Sequence, residues 1–222
     1  MKKIDAVIFD LDGVITDTAH YHFLAWRKLA NSLNIEFTEE FNEELKGISR
    51  DESLEKILVK GKVENEYSLE EKKILADKKN IEYVELLKNV TPEDILPGIH
   101  KFLIDLKRYN IKIGLASASK NAPFILDVLE ISYLFDCVVD PESIKSGKPS
   151  PDIFLKAAEI LVVNPENCIG VEDAIAGIKS INDANMLSIG VGTPSEMKKA
   201  GANVVVRDTK ELTIDLLKEI YV

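Results

Sequence analysis

From Pro97 onward, the sequence alternates between short apolar runs typical of strands and longer segments in which apolar residues recur at helical spacing. This alternation predicts β-α-β units, in which right-handed crossovers join parallel strands and helices cover both faces of the sheet. We predict strands at residues 112–116, 137–139, 168–171, 187–191 and 204–206. The intervening helices are predicted at residues 99–108, 123–129, 151–161, 174–184, 195–200 and 211–220.

The first part of the chain adds one strand and then a segment that contains helices alone. The apolar run at residues 6–9 is typical of a strand buried on both faces, and we expect it to join the same sheet. The next segment has helical patterns at residues 19–33, 39–45, 50–58 and 69–87. The predicted fold is therefore α/β: a Rossmann-like parallel sheet core with helices on both faces, plus an inserted all-helical domain.

We predict that the two domains are divided at two crossings of the chain. Residues 1–16 and 92–222 would form a discontinuous α/β core, and residues 17–91 would form the helical insert. The crossings near Thr16-Asp17 and Val90-Thr91-Pro92 are the predicted hinges.

Composition limits the classes of partner and the compartment. The 222 residues carry a formal net charge of -10, which argues against a nucleic-acid partner, although a few lysines and a metal ion can still make one pocket positive. No apolar stretch is long enough to span a bilayer, and Asp5, Asp10 and Asp12 interrupt any signal-peptide core. Cys137 and Cys168 are expected to be buried, reduced thiols. We expect a cytoplasmic monomer without a membrane partner.

Two carboxylates, Asp10 and Asp12, directly follow the first predicted strand. Anions this close repel each other and must lose water if buried, so they usually persist where a divalent cation compensates them. The alternative is that both are solvated turn residues. An aspartate followed by a glycine, as Asp12 is followed by Gly13, is common in turns.

Polar residues also follow three later strands. These are the segment from Ser117 to Asn121, then Lys148, and then Glu172 with Asp173. Each has an ordinary explanation: Asn121 could cap a helix, Lys148 could be solvated, and the acids could favour a helix N-terminus. The carboxyl ends of parallel strands meet at one edge of a sheet, where ligands bind. Four such groups at one edge therefore predict a single site.

These segments resemble the four ordered motifs of the haloacid dehalogenase superfamily of phosphotransferases. The matching segments are Asp10-Leu11-Asp12-Gly13-Val14, the Ser-Ala-Ser run ending at Ser119, Gly147-Lys148-Pro149-Ser150-Pro151-Asp152 and Gly170-Val171-Glu172-Asp173. The helical insert resembles the helical cap of that superfamily, so the likeness covers the whole chain. Within the superfamily the chain is most similar to hexose-phosphate mutases, through Asp17-Thr18, His22, the segment at residues 46–50 and the segment at residues 117–121.

The resemblance implies a catalytic group of Asp10, Asp12, Ser117 and Lys148. Asp10 would attack a phosphoryl group and form an aspartyl-phosphate, and Asp12 would transfer the proton. Lys148 and Ser117 would hold the oxygens of the transferring group. The implied cofactor is Mg²⁺, whose predicted ligands are Asp10, Glu172, Asp173 and the backbone carbonyl of Asp12.

The substrate would be a small sugar phosphate, gripped from both domains. The predicted binding residues are His22, Gly47, Ile48, Ser49, Arg50, Ser117, Ala118, Ser119, Lys120 and Asn121. Ser49-Arg50-Asp51-Glu52 is also a helix capping box, which explains the serine and the glutamate without a ligand but not the arginine. As we align the cap, the chain departs from the mutases at Asp77, where they carry a substrate-facing lysine, and Lys78 lies about 100° around the helix.

The implied reaction interconverts β-D-glucose 1-phosphate and glucose 6-phosphate through the aspartyl-phosphate and a β-glucose 1,6-bisphosphate intermediate. Two alternatives remain open. A Mg²⁺-dependent sugar-phosphate phosphatase would use the same nucleophile and pass the phosphoryl group to water. A phospho-aspartate regulatory domain would need neither Asp12 nor a large cap. A nucleotide-dependent dehydrogenase is excluded, since no G-x-G-x-x-G motif follows the first strand.

Overall fold

A six-stranded parallel sheet forms the centre of the part of the chain that the computed structural model describes, residues 4–220. In chain order the strands are β1 (Ala6–Phe9), β2 (Lys112–Leu115), β3 (Cys137–Val138), β4 (Cys168–Glu172), β5 (Leu187–Val191) and β6 (Val204–Val206). Their order in the sheet is β3-β2-β1-β4-β5-β6, with all five pairings parallel. The predicted fold class is confirmed.

Four helices are inserted between β1 and the rest of the sheet domain: α1 (Ala19–Ser32), α2 (Glu39–Glu43), α3 (Arg50–Gly61) and α4 (Leu69–Leu87). The later helices are α5 (Ile99–Arg108), α6 (Ala122–Val128), α7 (Asp152–Leu161), α8 (Ile175–Asp183), α9 (Pro194–Lys199) and α10 (Ile214–Ile220). The prediction for the last helix was wrong at its start. A short 3-10 turn at Thr209–Glu211, closed by a capping box from Asp208, precedes α10.

The alternating side chains of the strands are buried on both faces of the sheet. On one face Val7 and Phe9 of β1 belong to a core cluster with Phe102 of α5 and Leu217 of α10. The other face carries the remaining β1 side chains, which pack in a second cluster with residues of α7 and α8. Every β1 side chain is therefore buried, as the continuous apolar run predicted.

The helical insert has its own core, built from the apolar stripes of α1, α3 and α4. Trp26, Leu29, Ile57 and Ala76 are among its buried members. The C-terminal end of α4 does not belong to this core. Its residues Tyr83 and Leu87 pack in the cluster that covers one face of the sheet. The insert thus rests on the sheet domain through α4.

The structure bears on two further expectations, which concern the cysteines and membrane-spanning helices. Cys137 and Cys168 are buried and form no disulfide. No helix within residues 4–220 combines the length and apolar character needed to cross a membrane. The predicted domain boundaries and hinges stay predictions; near one of them, the buried Thr16 donates a hydrogen bond from Oγ1 to the carbonyl of Asp94 at 2.8 Å.

Candidate active site

The strand register brings the predicted catalytic segments to one edge of the sheet. The backbone N–H of Asp10 donates to the carbonyl of Val171 at 2.9 Å, and that of Ala116 donates to the carbonyl of Phe9 at 2.8 Å. Asp10 therefore lies beside the end of β4 on one side and the start of the 117–121 segment on the other. In open α/β sheets this crevice, where the strand order reverses, is the usual ligand site.

Three carboxylates converge beside β1, and two of them bond the same lysine. Asp10, Glu172 and Asp173 each offer an oxygen within 4.8 Å of the others. Lys148, which is fully buried, donates from Nζ to Asp10 Oδ1 at 2.6 Å and to Glu172 Oε2 at 2.7 Å. The charge of Lys46 also attracts Asp173, but less strongly than Glu172 and Asp10 repel it, so the cluster has excess negative charge.

This excess charge appears in the pKa values of the cluster. Burial, and then the charge of Asp10, raises the pKa of Glu172, and burial with the charges of Glu172 and Asp10 raises that of Asp173 well above its usual value. Burial opposes the charge on Lys148, but the carboxylates of Asp10 and Glu172 together outweigh it and raise its pKa. A donor set of carboxylate oxygens with uncompensated charge fits a hard divalent cation.

A glycine lets the third carboxylate of the cluster approach the turn after β1. Gly13 has a φ of +73°, and a Cβ atom built there would lie 2.2 Å from Asp173 Oδ2. Any other residue would be strained and would displace that carboxylate. The glycine after the acid pair therefore shapes the site as well as the turn.

Asp12 has surroundings unlike those of Asp10. Its carboxylate accepts a hydrogen bond from Thr18 Oγ1, and the same hydroxyl lies 3.0 Å from the Tyr83 hydroxyl. Burial, and then the nearby charge of Asp10, raises the pKa of Asp12 to about 7. Asp12 can therefore hold or release a proton near neutral pH, whereas Asp10 is bonded to an ammonium group.

The segment after β2 forms a series of polar turns. Ser117 Oγ accepts from the backbone N–H of Ser119 at 3.1 Å, and Ser119 Oγ accepts from that of Asn121 at 3.3 Å. Lys120 pairs with Glu142, which lies in the 3-10 turn after β3. The helix-capping alternative for Asn121 is wrong. Its side chain makes no capping bond, and its amide donates instead to Asn80 Oδ1 in α4 at 2.9 Å.

The loop that precedes α3 forms the opposite wall of the cleft. The capping box is present: Ser49 Oγ accepts from the Glu52 N–H at 3.3 Å, and the Glu52 carboxylate accepts from the Ser49 N–H at 3.0 Å. Arg50 nevertheless lines the cleft, with its guanidinium 3.9 Å from the carboxylate of Asp77. Capping and ligand binding are thus compatible roles for this segment.

The expectation that Asp77 faces the substrate is wrong. Asp77 is exposed and does not line the cleft, whereas Lys79 does and is only 2% exposed. Lys79 Nζ lies 2.8 Å from His22 Nδ1 and 4.5 Å from the centre of the Tyr83 ring. Burial, and then the charge of Arg50, lowers the pKa of Lys79 to about 7. The cap therefore does present a lysine to the site.

His22 contacts Lys79 and Tyr83. Its ring packs against that of Tyr83, with the ring centroids 3.9 Å apart and the ring planes tilted by 35°. Burial, followed by the charges of Lys79 and Arg50, lowers its pKa well below the usual value. His22 is therefore neutral at pH 7 and can accept a hydrogen bond from Lys79.

The cleft between the cap and the sheet has a volume of about 270 Å³. The predicted site residues that line it are Asp10, Asp12, His22, Gly47, Ile48, Ser49, Arg50, Ser117, Ala118, Ser119, Lys120, Asn121 and Asp173. Lys148 and Glu172 are buried beneath the residues that line the cleft. Lys148 bonds Asp10, which does line the cleft, and Glu172 bonds Lys148. Lys79, Asn80 and Glu142, which also line the cleft, were not among the predicted site residues. A signal existed for Lys79, because it shares a helix face with Ala76 and Tyr83.

Known proteins resemble this chain over most of its length. A family model described as haloacid dehalogenase-like hydrolase matches residues 4–185. A β-phosphoglucomutase of Bacillus subtilis is 54% identical over 96% of this chain and 94% of its own length. A phosphorylated carbohydrates phosphatase of Thermotoga maritima is 29% identical over 98% of this chain and all of its own length.

A solved structure supports the same relationship. The crystal structure of a β-phosphoglucomutase from Clostridium difficile matches with a TM-score of 0.96 and 55% identity, covering 98% of this chain and 97% of that one. The family model, the full-length relatives and the cleft at the end of β1 lead to one assignment. The chain belongs to the haloacid dehalogenase-like hydrolase family.

Proposed function

We propose that the protein is a Mg²⁺-dependent β-phosphoglucomutase, which interconverts β-D-glucose 1-phosphate and glucose 6-phosphate. The observation that carries the proposal is the contrast between Asp10, bonded to Lys148, and Asp12, whose pKa is about 7. A nucleophile must be ionised, and a general acid must be able to hold a proton at working pH. Similarity to β-phosphoglucomutases over almost the whole chain supports the choice of substrate.

In the proposed reaction Asp10 is the nucleophile. One of its carboxylate oxygens bonds to the phosphorus of a sugar phosphate or bisphosphate, while the bond from phosphorus to the sugar oxygen breaks. The resulting aspartyl-phosphate then passes its phosphoryl group to a hydroxyl of the sugar monophosphate. The bisphosphate formed in this way can react again through its other phosphate.

Asp12 would move the proton in both half-reactions. It would protonate the leaving sugar oxygen when Asp10 is phosphorylated and would deprotonate the attacking hydroxyl in the reverse sense. The Thr18 hydroxyl would orient its carboxylate. Ser117 and Lys148 would hold the oxygens of the transferring phosphoryl group.

Asp10, Glu172 and Asp173, with the backbone carbonyl of Asp12, are the proposed ligands of Mg²⁺. The convergence of the three carboxylates fits this ion, as described above. When bound, Mg²⁺ would neutralise the repulsion between the attacking carboxylate and the phosphoryl oxygens.

The other phosphate of the substrate would be gripped from both walls. Arg50 would hold it from the cap, and Ser119, Lys120 and Asn121 would hold it from the sheet domain. His22, Gly47, Ile48, Ser49 and Ala118 would contact the remainder of the sugar phosphate. Residues 17–91 would act as a cap over the cleft and keep water from the aspartyl-phosphate. We further propose a monomer that acts in the cytoplasm.

A product assay tests the proposal. The protein is mixed with β-glucose 1-phosphate, Mg²⁺ and a trace of the bisphosphate, and glucose 6-phosphate and free phosphate are followed together. The proposal predicts mainly glucose 6-phosphate. Mainly free phosphate would contradict it and favour a sugar-phosphate phosphatase, the activity named for the Thermotoga maritima relative.

A further inference from the structure

A hydrogen bond between Asn121 and Asn80 joins the two walls of the cleft. The side-chain amide of Asn121, at the end of the 117–121 segment, donates to Asn80 Oδ1 on α4 of the cap at 2.9 Å. Both residues line the cleft and are half-buried. The bond joins two residues that are 41 positions apart in the sequence, one on a cap helix and one on a loop of the sheet domain. It therefore reports whether the two walls are seated against each other.

The position of Asn121 is linked to the rest of its segment. The Ser119 hydroxyl accepts from the backbone of Asn121, and the Ser117 hydroxyl accepts from the backbone of Ser119. Asn121 lies at the start of α6 and makes no side-chain capping bond there, and its Nδ2 group donates to the partner wall. A contact that holds Asn121 thus restrains the loop that contains Ser117.

On the cap side, Asn80 is part of the helix that supplies Lys79. A capping box at Ser68 begins this helix. Near the C-terminal end of the helix, Tyr83 is buried in the core of the sheet domain. Asn80 therefore has a well-defined position, and one acceptor on a rigid helix meets one donor on a loop of polar turns.

We propose that Asn80 is a positioning residue that couples the seating of the cap to the geometry of the 117–121 segment. Through Asn121 it would keep this segment and the cap together while the phosphoryl group is on Asp10. Loss of the bond would let water compete with the sugar hydroxyl for the phosphoryl group. This consequence for the products depends on the function proposed above, whereas the effect on the loop does not.

The test compares Asn80→Ala with the unsubstituted protein in the product assay. We expect the ratio of free phosphate to glucose 6-phosphate to rise about fivefold, the change that corresponds to one neutral hydrogen bond. Asn80→Asp keeps an acceptor at the same place, so its ratio should stay within about twofold of the unsubstituted value. Asn89→Ala is the control, because Asn89 is exposed on the same part of the chain and its side chain donates to the carbonyl of Leu86 in its own turn.

A second measurement is independent of the reaction. Amide hydrogen exchange in residues 117–121 should be faster in Asn80→Ala than in the unsubstituted protein and unchanged in Asn89→Ala. Unchanged exchange in Asn80→Ala would overturn the inference whatever the reaction proves to be. If the unsubstituted protein itself releases mainly free phosphate, the proposed mutase function fails, and the exchange rates still decide the role of Asn80.

Discussion

Asp10 and Asp12 are separated by one residue, yet their partners differ in charge. Asp10 contacts the buried ammonium group of Lys148, while Asp12 contacts the neutral hydroxyl of Thr18. The resemblance to the superfamily implied different tasks for the two acids. Their different surroundings are consistent with two different tasks, because the environment of a carboxylate determines whether it holds a proton at pH 7.

The first prediction concerns Asp12→Asn. An amide cannot exchange a proton, so turnover should fall by about a hundredfold to ten-thousandfold. Mg²⁺ binding should persist, because the Asp12 side chain is outside the carboxylate cluster of Asp10, Glu172 and Asp173. Steady-state rates and calorimetric titration with Mg²⁺ check the two parts. A variant with an unchanged rate would remove Asp12 from the mechanism.

The second prediction concerns the pH dependence of stability that Lys79 causes. Its pKa is about 7 in the folded protein and 10.5 ordinarily, so between these values the unfolded chain binds more protons at this side chain. Stability therefore rises with pH in this window, by up to about 1.4 kcal/mol per pH unit from this group. Urea unfolding of the unsubstituted protein and of Lys79→Met should give free energies whose difference changes across the window. Parallel pH profiles would contradict the lowered pKa.

At the scale of elements, the strands and helices were largely predictable, but the residue of α4 that faces the cleft was misassigned. Apolar periodicity located α4 at residues 69–87, the bounds that the structure has. The site-facing position was nevertheless assigned to Asp77, two residues before Lys79. That assignment came from an alignment with the mutases and disregarded the helix face, on which Lys79 lies with the buried Ala76 and Tyr83.

A third prediction concerns α8, which packs closely against the end of β4. A Cβ atom at Gly177 would lie 2.0 Å from Glu172 Oε2, the atom that accepts from Lys148. Gly177→Ala should therefore displace the Glu172 carboxylate, weaken Mg²⁺ binding and lower the free energy of unfolding by about 1–3 kcal/mol. Urea unfolding and Mg²⁺ titration check this.

Lys179→Ala, an exposed change on the same helix, serves as the control for Gly177→Ala and should alter neither quantity. Equal Mg²⁺ affinity in the Gly177→Ala variant would show that the close approach of α8 is unnecessary for the site.

At the scale of the whole molecule, the sequence predicted the sheet, the inserted helices and the edge at which the polar segments meet. Those features depend on local patterns and on general rules of chain topology. The contact of Asn80 with Asn121 and that of Lys120 with Glu142 were not predictable. Each joins segments distant in the sequence, and an asparagine or a glutamate on a polar stretch carries no pattern that names its partner.

Phosphorylation of Asp10 is the central claim, and a crystal structure of the protein with Mg²⁺ and fluoroberyllate, a mimic of an aspartyl-phosphate, tests it most directly. The account predicts continuous electron density from the Asp10 carboxylate to beryllium, with Mg²⁺ held between Asp10 and Asp173. A free Asp10 carboxylate, or beryllium bonded to Asp12 in its place, would contradict it.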